Sequence, residues 1–266
     1  MKTHIIQTLD SICSTKVLCS IGDVLLRGNA LDNGQLIVIS RYYDVLRYME
    51  GSDRSFPFQN ALSYVLWGDR HDRETGDRNF GNLIASYERS GYKKGSRIVL
   101  YNDGAIANGT HRLALNLYHS IWEVEADLLW RPSRNQRNID WYIEQGLSPE
   151  WRSALEDTGR VVEKRLFDAG ATFVVVTEQV DSDKLLALEK LMAERSKTHM
   201  MERIGNTFVL RFSLITPDYY VRKGHLHSRT AEDLFQRIDA LNIAMMDKAY
   251  NAVDGRRIWE KYRKVQ

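Results

Sequence analysis

Five consecutive positions, Asn108-Gly109-Thr110-His111-Arg112, bring together an amide, a residue without a Cβ, a hydroxyl, an imidazole and a guanidinium. These are groups that bind phosphate. At the start of a helix the first N–H groups have no intrahelical partner and the helix dipole is positive. A glycine there lets an anion approach the backbone, while His111 and Arg112 add donors and charge. Arg112 would sit in the first turn, where a cation opposes the dipole, and that placement points to an anion. The residues alone leave a structural alternative open, with Arg112 paired to a carboxylate and His111 capping a loop.

The flanking sequence supplies the elements that must hold this run. Ile98, Val99 and Leu100 suit a buried strand. Asn102-Asp103-Gly104 is the chemistry of a tight hairpin turn, and Ala105-Ile106-Ala107 returns as the second strand. Thr110 is placed to cap a helix whose apolar face is Leu113, Ala114, Leu117 and Ile121. A strand from Trp122 to Leu129 closes the unit.

From Asn79 to Leu129 the chain resembles the core of the ParB/sulfiredoxin-like superfamily. The resemblance is carried by the run Phe80 to Gly91, a helix ending in glycine, by the strand and hairpin after it, and by the Gly109-Thr110-His111-Arg112 helix start. It implies nucleotide or phosphate binding at Asn108, Gly109, Thr110, His111 and Arg112. Members of the superfamily include chromosome-partition CTPases, the sulfinic-acid reductase sulfiredoxin, and free-serine kinases that use adenine nucleotides. Sulfiredoxin-like proteins place a reactive Cys where this chain has Thr110, so thiol chemistry is not expected. Partition proteins carry Gly-Glu-Arg-Arg in place of Gly109 to Arg112. The kinase pattern, Asp-Gly-His-His-Arg, is the nearest, and this chain departs from it at Asn108 and Thr110. The first departure removes a metal or base role from that position.

The resemblance therefore implies an ATP- or ADP-dependent phosphotransferase acting on a small metabolite or sugar hydroxyl, with Mg²⁺ on the phosphates. His111 would act catalytically beside Arg112, stabilising charge on the transferring group. In the kinase-like relatives an acidic residue follows the first strand. Gln35 to Ser40 reads as that strand, so Asp44 is the first candidate base, with Arg41 and Tyr43 placed toward the substrate. The alternative for Asp44 is a carboxylate at the start of a helix over 45–50. A charged run from Gly68 to Arg78 precedes the motif's helix and puts Asp77 and Arg78 at its N-terminus. Asp77 is thus a second catalytic candidate and Arg78 a substrate contact, although charge runs of this kind usually form solvated loops. Two other functions fit the same residues. One is a ParB-like nucleotide-binding regulator or DNA-associated protein without metabolite chemistry; the other is a non-catalytic scaffold of the same fold.

Composition bounds these readings. The chain has 266 residues, 43% hydrophobic and 27% charged, with a net charge of +2, so bulk charge does not announce a nucleic-acid partner. No apolar run approaches the roughly 20 residues that span a bilayer. The first ten residues lack a secretory apolar region, and a cytoplasmic protein is expected. Cys13 and Cys19 read as reduced, buried thiols. The pair His225 and His227 has no further ligand nearby, and no protein-built metal site is expected. Six Trp and thirteen Tyr would suit a sugar pocket, though core packing accounts for most of them.

The fold class expected is α/β (α+β), with a ParB/sulfiredoxin-like unit over 1–131 and a smaller unit over 145–266. The polar stretch Arg131 to Asp140 marks the boundary, and Ser148-Pro149 signals a helix start running to Arg165. A buried strand over 171–177, an amphipathic helix over 182–195 and a strand over 207–215 follow. Helices over 230–250 and 254–263 end the chain. The strand-helix-strand step fits either a right-handed parallel crossover or a split arrangement. Oligomeric state is not legible.

Overall fold

A computed structural model describes residues 14–27, 33–51, 55–68, 72–93, 95–133, 137–215 and 218–264. Strand β1 (Ser14–Ser20) runs directly into the short helix α1 (Ile21–Leu25). Three helices follow, α2 (Asn33–Met49), α3 (Pro57–Trp67) and α4 (Arg73–Ser90). Next come β2 (Ile98–Tyr101), β3 (Ile106–Asn108), α5 (Thr110–Tyr118) and β4 (Glu123–Leu129). Helices α6 (Ile139–Glu144) and α7 (Glu150–Asp168) lead to β5 (Phe173–Glu178), α8 (Ser182–Arg195), β6 (Ser196–Ile204) and β7 (Thr207–Leu214). The chain continues through β8 (Tyr219–Arg222), β9 (His225–Ser228), α9 (Arg229–Ala240), β10 (Met245–Lys248) and α10 (Ala252–Arg263).

The fold is mixed α/β, as the sequence indicates, and is built on a six-stranded sheet ordered β3-β2-β4-β1-β9-β8 and a four-stranded sheet ordered β10-β5-β7-β6. In the first sheet β2 lies parallel to β4, and β1 pairs antiparallel with β4 along its whole length, Ser14 opposite Leu129 and Ser20 opposite Glu123. Strands β8 and β9 come from residues 219–228 and dock beside β1, so the segment after residue 145 contributes to both sheets. The second sheet is antiparallel throughout, and β5 neighbours β7 rather than forming a parallel crossover with it. One apolar core joins Val17, Leu113 and Leu128 to Leu166, Val175 and Phe212.

Several sequence expectations are corrected. Gln35 to Ser40 is not a strand but the opening of α2. Its β-branched run favours a strand locally, yet Leu36, Ile39, Tyr42 and Val45 recur every three residues and are all buried. Burying that stripe against α5 and α7 overrides the local preference. Helix α4 starts at Arg73 behind the cap Asp72, whose carboxylate accepts from Thr75 N at 3.0 Å. Asp77 and Arg78 therefore lie within the helix rather than at its start. The helix expected over 230–250 divides into α9 and β10. Asp69, Arg70, His71 and Cys13 lie outside the described residues.

The two sheets are joined closely at one place. A Cβ added to Gly22 of α1 would stand 1.8 Å from Ala171 O, and one added to Gly255 of α10 would stand 1.9 Å from Thr172 O. Both helices therefore meet the chain entering β5 backbone to backbone.

Candidate functional site

Helix α5 begins where strand β3 ends, and the turn between them is made by Gly109. Its φ of 97° is a left-handed conformation, and it is the N-cap of the helix, with Thr110 the first helical residue rather than the cap. The space a Cβ would take is already filled, because it would lie 2.7 Å from Ile98 Cγ2. The glycine is thus required by the turn and by packing on β2, not by an anion's approach to its Cα. No side chain caps this helix. Asn108 is exposed, and its Oδ1 accepts only from Gly109 N at 2.7 Å. Among the described residues nothing in the protein accepts from the amides of Thr110, His111 and Arg112.

His111 is held from two sides. Phe80 of α4 meets it edge-on, ring centroids 4.4 Å apart. On the other side its Nε2 donates to Gln59 Oε1 of α3. Because that oxygen can only accept, Nε2 carries the ring proton and Nδ1 is left as an acceptor. Burial first, then the charges of Arg41 and Arg112, pushes its pKa down to about 3. The imidazole is neutral wherever the protein is folded at ordinary pH.

Asp44 does not stand free as a base. Helix α3 starts from Phe56, a left-handed residue at φ 45° that offers no side-chain cap. Asp44, on α2, supplies the missing acceptor across the helix pair: Oδ1 takes Phe58 N at 3.1 Å and Oδ2 takes Gln59 N at 2.7 Å. The carboxylate is buried, and it fixes the backbone of the residue whose side chain holds His111. Asp44 lies inside α2 rather than at the start of a helix over 45–50, and both its oxygens are engaged by α3.

Arg41 lies one turn before Asp44 and is 9% exposed. Its NH1 reaches Ser40 Oγ at 3.5 Å, and its Nε is buried with no hydrogen-bond partner. Burial lowers its pKa to about 10, against the raising pull of Asp44 and Tyr142. Arg112 is anchored differently, with NH1 donating to Arg97 O at the entry to β2. Arg97 itself is matched by Asp127 at 3.1 Å.

The expected site residues therefore divide. Arg41, Asp44, Gly109, Thr110, His111 and Arg112 converge at the α5 start. Asp77 lies beside them: Asn60, next to Gln59, donates to its Oδ1 at 2.9 Å, and Phe80 is the next turn of the same helix. Tyr43 faces elsewhere, into a cluster with Phe58 and Trp151, its hydroxyl accepting from Arg47 at 3.1 Å. Arg78 is exposed and reaches only Thr75 Oγ1, at 3.2 Å. The structure adds Gln59, Tyr142 and Arg137. The Tyr142 hydroxyl is pushed up by burial and pulled back by Arg137 and Arg41, while Arg137 lies 4.6 Å over the Trp141 ring. The stretch read as a boundary thus borders the site. Gln59 carried no local signal, since its partners are distant in sequence.

Chemically, the arrangement offers unpaired helix amides, one buried and one half-buried guanidinium, and a neutral imidazole. Among the described residues no group of three or more His, Cys, Asp or Glu could hold a metal ion, and no helix is long and apolar enough to cross a membrane. Comparison with protein-family models, with curated proteins and with solved structures finds no match for this chain.

Proposed function

We propose that the α5 start holds the phosphates of an adenine nucleotide and that the protein is a phosphotransferase acting on the hydroxyl of a small metabolite or sugar. One observation carries this reading: the charges of the buried Arg41 and of the first-turn Arg112 both act on the neutral His111 at an uncapped helix start. The nearest carboxylate, Asp44, gives both oxygens to α3. Arg41 feels the charge of Asp44 but forms no ion pair with it, and a phosphate would supply a direct anionic partner together with acceptors for the helix amides.

In this reading transfer is mainly positioning and charge neutralisation. Asp77 takes the carboxylate role first expected of Asp44, because it lies one turn from the Phe80 ring against His111. His111 Nδ1, as an acceptor, can receive a hydrogen bond from the acceptor hydroxyl. Magnesium would arrive on the nucleotide phosphates, since the described residues build no cage for it.

The test is calorimetric titration with ATP, ADP and CTP, with and without Mg²⁺, on the protein and on Arg112→Ala. Adenine-nucleotide binding weakened on the order of tenfold in the variant supports the reading. Binding of CTP alone replaces the kinase with the ParB-like regulator. No binding to any of the three removes the phosphate site.

A further inference from the structure

A groove on the four-stranded sheet shares no residue with the α5 start. It has a volume of about 540 Å³ and is lined by Asp168, Glu202, Arg203, Arg211, Trp259 and Arg263. These come from the end of α7, from β6 and β7, and from α10. Its floor is rigid. Arg211 is 3% exposed, its guanidinium stacks 4.0 Å over the Trp259 ring, and it donates to Phe167 O and, at 3.3 Å, to Glu202 Oε1. Trp259 in turn packs with Val174, Val176 and Val209 beneath α10.

The charges around this floor do not balance. Both acids are engaged: Asp168 with Lys164 at 2.6 Å, and Glu202 with Arg211. The two exposed arginines are not. Arg203 donates its Nε to Gly205 O at 3.2 Å, and Arg263 has no hydrogen-bond or carboxylate partner among the described residues. Two buried donors, Arg211 Nε and Trp259 Nε1, are also without partners. The groove is therefore a concave surface with a buried cation beneath it and two unmatched guanidiniums at its rim.

We propose that this groove binds the phosphate group of a small anionic ligand, gripped by Arg203 and Arg263 over the fixed Arg211–Trp259 stack. A planar carboxylate is satisfied by one guanidinium fork, whereas a tetrahedral phosphate presents oxygens to more than one. Glu202 competes with the ligand for Arg211, so it opposes binding while it orders the floor. The charges thus make opposite demands, and the test uses that opposition.

The Trp259 indole N–H resonance, identified by its loss in Trp259→Phe, is followed in ¹H–¹⁵N spectra while inorganic phosphate is added to the full chain. Sodium chloride at matched ionic strength and sodium acetate serve as controls. Phosphate should move the resonance saturably and the controls should not. Arg203→Gln and Arg263→Gln, both at exposed positions, should each weaken the response on the order of tenfold, and Glu202→Gln should tighten it. A resonance that stays still, moves equally with chloride or acetate, or ignores all three charge changes overturns the proposal. Because the signal is local to Trp259, phosphate bound at the α5 start cannot produce it.

Discussion

The starts of α1 and α10 and the start of α5 answer the same electrostatic problem in opposite ways. At the first pair the chain provides its own acceptor. Asp23 accepts from Ser20 N at 3.0 Å and from Ala252 N at 2.8 Å, and Ser20 Oγ takes Gly22 N at 3.1 Å. Asp44 serves α3 in the same manner. At α5 there is no side-chain cap: the nearby Asp44 gives its oxygens to α3, and the charges that act on His111 are those of Arg41 and Arg112. Helix α7 also lacks a side-chain cap, but it opens in solvent with Glu150 in its first turn. The starts of α1, α3 and α10 thus carry internal acceptors, while the amides of the α5 start are left without one, as the proposed phosphate site requires.

That comparison can be broken at the scaffold side first. Gly255→Ala should have the largest effect, because a methyl 1.9 Å from Thr172 O forces α10 off the strand. A loss of about 3 kcal/mol or more in urea unfolding is expected, with nucleotide binding intact in the folded fraction. Asp44→Ala should cost about 2–3 kcal/mol by leaving two buried amides unpaired, and Asp44→Asn about half of that. Equal stability of Asp44→Ala and the parent would remove Asp44 from the scaffold.

A pH series sharpens the same contrast, with an effect spread over several pH units. The Asp23 carboxyl is raised from 3.8 to about 7, mainly by burial, with Asp254 adding to the rise and the Ala252 and Ser20 amides opposing it. Tyr219, whose hydroxyl donates to Asp23 O at 2.6 Å, and the buried Cys19 share its surroundings. A folded pKa above the unfolded one means that the native state holds the proton more tightly. This contribution is complete below about pH 4 and is lost as the pH rises through about 7, at no more than about 1.4 kcal/mol per pH unit. Urea midpoints across that window should fall with pH in the parent and fall less in Asp23→Asn. Equal slopes would show that Asp23 does not carry the dependence.

The elements nearest the motif were legible because their signals are local. Turn residues at 102–104, Leu113, Ala114 and Leu117 on the apolar face of α5 and the closing strand β4 lie where the residues place them, whereas Ile121 falls beyond the end of the helix at Tyr118. The strand expected at Gln35 to Ser40 was misread because β-branched Ile37, Val38 and Ile39 outweigh, over six residues, a period that shows only when followed to Val45. The site's supporting contacts were not legible at all. Gln59 meets His111 at a separation of 52 residues, and Asp23 reaches Ala252 at 229. Short strands such as β3 and β8–β10 owe their conformation to neighbours in the sheet rather than to their own sequence.

The central claim is that Arg41 serves an external anion and not the scaffold. Thermal unfolding of the parent and of Arg41→Met, each with and without Mg²⁺-ATP, tests it directly. Without nucleotide the variant should match the parent within about 1 kcal/mol or exceed it, since an apolar chain replaces a buried charge. With nucleotide only the parent should gain stability, as mass action requires of a ligand that binds the native state. A variant that is markedly less stable alone, yet gains as much from nucleotide as the parent, would contradict the account.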